Sequence, residues 1–366
     1  MHSPVYLDHN ATSLLRTSVA QSMIDAINLH GNPSSIHSFG RRVRSYVDQA
    51  RQQVANLVGA TPSQIIFTSG GTEANNFALN DTRFHEMFVS SVEHPSILAA
   101  ANNASLIPVN SDGIVSLDKL SELLSVAPSN SIVSVMFANN ETGVIQPISD
   151  IAKIAKSKGC FVHTDAIQAA GKCTINFNAL NIDCMSISAH KFGGPTGVGA
   201  LIVKEDSNLK PLLAGGGQEG RQRAGTENIT GIVGFGAAAE AASRGLEEFQ
   251  QLAKLRSELE LQIQAVGPAI FYGSGAERLV NTSLFGFPGI SSETLVMAMD
   301  LEGIAVSSGS ACSSGNVIDS HVLSAMGIQG NGVRVSFGWP SGKKDVTAFI
   351  GALKRLYPQF KNGLAA

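Results

Sequence analysis

The sequence predicts an α/β protein: a large domain on a mostly parallel sheet with helices on both faces, joined to a smaller α+β domain. Three observations carry this. Short β-branched apolar runs alternate with amphipathic helical patterns through the first two hundred residues, as expected of parallel strands whose crossovers cover both faces. The chain has 366 residues, enough for two domains at about 150 residues each. A long helical pattern at residues 231–266, able to bridge two domains, separates that region from a tail with fewer elements.

Taken in order, IIFT (65–68) is a β-branched run that stops at SGGT. MFVSSV (87–92), SIVSVMFA (131–138), CFVHTD (160–165), CMSISAH (184–190) and GVGALIVK (197–204) are runs of the same kind. Between them, LDKLSELL (117–124) follows Ser116, a suitable N-cap, and ISDIAKIAKSKG (148–159) closes with lysines and Gly159, a helix-stop signal. The tail offers strands in LVNTSLFGF, AVSSGS and VRVSFGW and helices in SSETLVMAMDLEG and KKDVTAFIGALKRL. The domains are set at 13–246 for the large one, and at 1–12 with 247–366 for the small one.

Composition narrows the function. A net charge of −3 and the absence of a basic block argue against nucleic acid as a partner. No apolar run approaches the ~20 residues of a membrane helix. The first residues, MHSPVYLDHNATS, lack the basic and apolar regions of a signal peptide, so a cytoplasmic location is expected. Thiols stay reduced there, and the four cysteines need not pair. Cys160, Cys173 and Cys184 show no C-x-x-C spacing, so no metal site is expected; Cys160 and Cys184 open apolar runs and read as buried small hydrophobes. Cys312 differs, because SSGSACSSG (307–315) surrounds it with serine and glycine and gives it nothing to pack against.

Four strand ends are polar, and in open α/β sheets ligands bind at the carboxyl ends of the strands. TSGGTEANN (68–76) turns on two glycines, Gly70 and Gly71, into a helix opening at Thr72, an arrangement suited to phosphate. No G-K-[ST] follows, so it is not a P-loop. GGGQEG (215–220) has glycine-rich dinucleotide spacing, but no strand precedes it and no helix follows. In SVEHPSI (91–97), His94 either caps the next helix or serves the site. In HTDAIQAAG (163–171), Asp165 closes a strand and needs a cationic partner, an arginine or a protonated heterocyclic nitrogen. In SISAHKFGGPTGVGAL (186–201), Lys191 either snorkels or forms a covalent bond to a carbonyl, which removes its charge. Ser188 and His190 beside it offer donors to phosphate. A phosphate cradle, an imidazole, an acid and a lysine together fit pyridoxal 5′-phosphate (PLP), with Asp165 on the pyridine nitrogen and Lys191 on the aldehyde carbon.

YLDHNAT, GNPSSIHSFG, FTSGGTEANN, EHPSI, NNETG, HTDAIQAAG, SAHKFGGPTGVGAL, RAGTEN and SSGSAC, spread in order from Tyr6 to Gly338, resemble the NifS/IscS-type cysteine desulfurases, which are class V, fold type I PLP enzymes. The resemblance implies that Lys191 is the PLP lysine, that His94 stacks on the ring and moves protons, and that Asp165 meets the pyridine nitrogen. It places Asn140 and Gln168 near the ring hydroxyl, and Gly71, Thr72, Ser188 and His190 at the phosphate. Thr226 would reach the phosphate from the other subunit, implying a homodimer. Arg334 would hold the substrate carboxylate, with Asn140 beside it. Cys312 would be the nucleophile: its thiolate takes sulfur from L-cysteine, releases alanine, and carries a persulfide to an acceptor on a loop built to swing.

The resemblance is imperfect in three places. The stretch 313–333 is shorter than in the IscS branch, GWPSGKKD (338–345) replaces a family GRFTTEEE, and the sequence stops at Ala366 without a longer tail. From these, an IscU-type scaffold is expected to dock weakly, and small thiols to discharge the persulfide. The alternatives are a selenocysteine lyase or class V aminotransferase, a thiol-dependent hydrolase, and a non-catalytic sulfur carrier. Transamination needs no cysteine loop, a hydrolase leaves Lys191 and Asp165 unexplained, and a carrier needs no complete pocket.

Overall fold

The structure is a computed structural model that describes residues 4–309 and 319–363. The chain opens with strand β1 (Val5–Tyr6) and helices α1 (Thr17–Ile27) and α2 (Ser38–Val58). The alternating region then runs β2 (Ile65–Thr68), α3 (Gly71–Leu79), β3 (Met87–Ser90), α4 (Pro95–Leu98), β4 (Ser105–Ile107), α5 (Leu117–Leu124), β5 (Ile132–Ser134), α6 (Ile148–Ser157), β6 (Phe161–Asp165), β7 (Cys184–Ser188) and β8 (Gly199–Val203).

These strands form one seven-stranded sheet in the order β2-β8-β7-β6-β5-β3-β4. Only β8 runs against its neighbours, β2 and β7; the other pairs are parallel. Side chains alternate between two buried faces. Ile65 and Phe67, Met185 and Ile187, and Ala200 and Ile202 enter a core shared with α2, α5 and α6. Ile66, Cys184 and Leu201 point to the opposite core, with Ala74 and Phe77 of α3. Burial on both faces is why these strands read as unbroken apolar runs. Cys160 and Cys184 are buried among hydrophobes, as expected.

The predicted long helix is corrected by the structure. It is three helices: α7 (Ile229–Arg244), α8 (Leu246–Gln250) and α9 (Leu252–Val266). The chain turns at Gly245, where helix propensity is low, and again at Gln251. The break lets each piece face its own core: Phe235 and Ala238 of α7 join the large core, and Leu259 and Ile263 of α9 join a second one. That second core also takes Leu7, from the far end of the sequence, and side chains from β9 (Ile270–Phe271), β10 (Thr282–Gly286), α10 (Ser292–Leu301), β11 (Ile304–Ala305), β13 (Val333–Ser336) and α12 (Lys343–Gly363). With β12 (Ser307–Ser308), an antiparallel sheet forms in the order β12-β13-β10-β9. The short helix α11 (His321–Ala325) precedes β13.

The N-terminal segment ties the two cores together. β1 pairs with β11, and Asp8 bridges to Ser336. Gly338 is required there: a Cβ at this position would lie 2.0 Å from Nδ1 of the buried His9.

Candidate active site

β2, β3, β5, β6 and β7 run the same way, so their carboxyl ends share one edge of the sheet. The loops leaving that edge line a cavity of about 590 Å³, closed by Asn10 and Ala11 and by Gly309, His321 and Arg334. Gly71, Thr72, His94, Asn140, Asp165, Gln168, Ser188, His190, Lys191 and Arg334 all line it. Thr226 is exposed and does not line the cavity of its own chain. Cys312 lies outside the described residues.

Gly71 begins α3, and an added Cβ there would stand 2.2 Å from Ile167 Cδ1. The glycine lets the turn after β2 approach the loop after β6. The first N–H groups of α3 have no partner within the helix and carry the positive end of its dipole. With the Ser188 hydroxyl and the His190 ring nearby on the cavity wall, this corner suits an anion.

Asp165 is buried. Its Oδ2 accepts from Asn75 Nδ2 at 2.7 Å and its Oδ1 from Ile167 N at 2.9 Å. Burial raises its pKa, opposed by the His94 charge, the two donors and Lys191. The same Asn75 Nδ2 donates to Ser96 Oγ at 2.9 Å, which lies 2.8 Å from His94 Nδ1. Ser96 N also donates to His94 Nδ1 at 3.1 Å. His94 therefore caps α4 and lines the cavity at once. With Nδ1 accepting, the neutral ring carries its proton on Nε2. Burial lowers the His94 pKa, while Asp165 opposes that shift.

Lys191 Nζ donates to Asn10 O and Ala11 O, both at 2.8 Å. Two residues later the turn takes φ of +92° at Gly193, a conformation that glycine adopts freely. Arg334 on β13 is buried; Nη1 donates to Asn140 O at 3.0 Å, and Nη2 donates to Asp8 Oδ1 at 2.7 Å and Ser307 Oγ at 3.2 Å.

Sequence reasoning missed Asp8, Asn10, Asn75, Ser96 and Lys172, each of which holds a wall residue in place. Asn75 and Ser96 lie inside motifs that were singled out, so a polar side chain at each helix start was the available signal. Asp8 and Asn10 lie inside YLDHNAT, but the residues they act on here are more than 150 positions away, which no local pattern reveals.

The family model for Aminotransferase class-V matches residues 5–349. The chain is 38% identical over 381 residues to a cysteine desulfurase IscS of Dictyoglomus turgidum, covering 99% of this chain and 96% of that one. It is 40% identical over 341 residues to a cysteine desulfurase of Nostoc, covering 89% and 85%. The structure of a NifS-like protein from Rickettsia africae superposes with a TM-score of 0.90 at 36% identity, over 97% of this chain and 99% of that one. The chain thus belongs to the class V aminotransferase family, in its cysteine desulfurase branch. Enzymes of this family depend on PLP. The donor set fits that group. Asp165 is a buried carboxylate that has no ion-pair partner among the described residues and would gain one in a protonated ring nitrogen. Asn140 Oδ1 and Arg334 Nε are buried on the wall, without hydrogen-bond partners among the described residues.

Proposed function

We propose that this protein takes sulfur from L-cysteine, producing L-alanine and a persulfide on Cys312 that passes to an acceptor protein or a small thiol. The observation that supports this most is the single cavity in which Asp165, His94 and Lys191 meet from three strand ends, with Arg334 on the same wall.

Bound PLP supplies an electron sink that weakens the substrate's Cα–H bond. Asp165 would keep the ring nitrogen protonated. Gly71, Thr72, Ser188 and His190 would hold the phosphate, and Thr226 of the partner subunit would complete the cradle. Lys191 would hold the cofactor, and its Nζ would take the substrate's Cα proton. His94 would lie against the ring and move protons at Nε2, held in that tautomer by Ser96. Arg334 grips the substrate carboxylate beside Asn140, a task suited to a guanidinium. The Cys312 thiolate attacks the substrate sulfur. Residues 13–246 form the PLP-binding domain, and residues 1–12 with 247–366 form the domain carrying Cys312, a division supported by the two separate apolar cores.

The test pairs two variants. Wild-type protein should absorb visible light and release sulfide from L-cysteine, whereas Lys191→Ala should lose the covalent cofactor and turnover. Cys312→Ser keeps the cofactor but gains no sulfur. Mass spectrometry of tryptic fragments after cysteine treatment that found the extra sulfur on Cys160, Cys173 or Cys184 would refute the assignment.

A further inference from the structure

Lys172 has no part in the chemistry above, yet it is only 2% exposed and makes no ion pair among the described residues. Its Nζ donates to Gln168 Oε1 at 2.7 Å and to Asn10 Oδ1 at 2.9 Å. We propose that Lys172 is a positioning residue: it fixes the Gln168 amide so that Gln168 presents an N–H to the cavity. The proposal rests on the PLP assignment, and it names a residue that governs the ionisation of the ring hydroxyl.

An amide can be oriented two ways, and its neighbours decide between them. Gln168 Nε2 donates to Asn10 O at 2.9 Å, a carbonyl that can only accept. Reversing the amide would set its oxygen against that carbonyl and its N–H groups against the lysine. Asn10 is locked in the same way. Its Oδ1 also receives Asn281 Nδ2 at 3.1 Å, and its Nδ2 donates to Thr282 Oγ1 at 2.9 Å and Asn140 O at 3.2 Å. Burial lowers the Lys172 pKa well below the ordinary lysine value, with Lys191 and Arg334 adding to the shift. The geometry holds in either protonation state, since a neutral amine still has the two N–H bonds that the two oxygens require.

One hydrogen of Gln168 Nε2 is thus committed to Asn10 O. The other has no acceptor among the described residues, and Gln168 lines the cavity. It is available to the ring hydroxyl of PLP. An N–H donor there stabilises the oxygen anion, whereas a carbonyl would repel it. The other charged and titratable groups around this point are Lys191, Arg334, His190, His94, Asp165, Glu141, Asp319 and His321 on the cavity wall, with His9 and Cys173 beside Lys172. All of them remain in the variants below.

The experiment is a pH titration of the visible absorption band of the purified PLP-loaded protein, with no substrate present. Lys172→Met should raise the midpoint by about one pH unit, the size of one hydrogen bond to a charged group. Gln168→Met should raise it similarly, and the double variant no further than Gln168→Met alone, because both changes remove one interaction. Should Lys172→Met fail to accumulate, Lys172→Gln, which keeps a shorter N–H donor, moves the midpoint the same way by less. An unmoved midpoint overturns the proposal, as do additive shifts in the double variant. A wild-type protein that binds PLP without any visible band would instead refute the cofactor assignment, and this inference with it.

Discussion

Arg334→Lys isolates the grip on the substrate carboxylate proposed for Arg334. The guanidinium has five N–H bonds. Three are spent on the protein, at Asn140 O, Asp8 Oδ1 and Ser307 Oγ. The Nε–H and one N–H on Nη1 remain for substrate. A lysine at this position keeps the charge but has only three N–H bonds on a single atom. It cannot satisfy Asp8 and Asn140 and still replace the two N–H bonds left for substrate, so at least one charge-assisted hydrogen bond is lost. Such a bond is worth about 1.5–3 kcal/mol. At about 1.4 kcal/mol per tenfold, KM for L-cysteine should rise roughly 10- to 100-fold. The carboxylate does not react, so its contacts are equal in ground and transition states, and kcat should stay within about threefold. Steady-state sulfide release over a range of L-cysteine concentrations reads both constants, and the visible cofactor band serves as the control for an intact pocket. A KM within twofold of wild type, or a collapse of kcat at unchanged KM, would refute the reasoning.

Three further outcomes are expected. Glu93 is fully buried, and burial pushes its carboxyl up to about 8, so the folded state keeps a proton that the unfolded chain releases above its ordinary 4.5. Stability from this group is therefore lost as pH rises from 4.5 through 8, and Glu93→Gln should gain on wild type by roughly 3 kcal/mol between pH 5 and pH 8 in denaturant titrations, because it has no proton to lose. Gly338→Ala forces a Cβ to within 2.0 Å of the buried His9 ring and should cost about 1–3 kcal/mol by the same measurement. Light scattering of the active protein should give about twice the 38.2 kDa chain mass, and an active monomer at assay concentration would remove the role proposed for Thr226.

The strands at the centre of the sheet were legible because both of their faces are buried. IIFT, for example, is strand residue for residue as β2. β4 was not legible: Ser105 and Leu106 are exposed on an edge strand of three residues, so neither hydrophobicity nor alternation marks it. The break at Gly245 was missed for a different reason. Nothing in the apolar pattern marks the turn, and only the existence of two cores separates α7, which packs in one, from α9, which packs in the other.

In the site, the legible residues are those where an apolar strand stops on a polar side chain, as at Asp165 or shortly before Lys191. Those side chains are defined by their own strand. Lys172 is different in kind. In sequence it is one lysine in a GK pair after a turn, and nothing local separates it from a solvated surface charge. Its meaning comes from Asn10, which crosses from the N-terminal segment to offer a carbonyl to Lys191 and Gln168 and an amide oxygen to Lys172. A buried donor set between two amides decides which way both of them face. The strand ends thus supply the groups proposed to do the chemistry, and residues distant in the chain, brought together by Asn10, fix how those groups are presented.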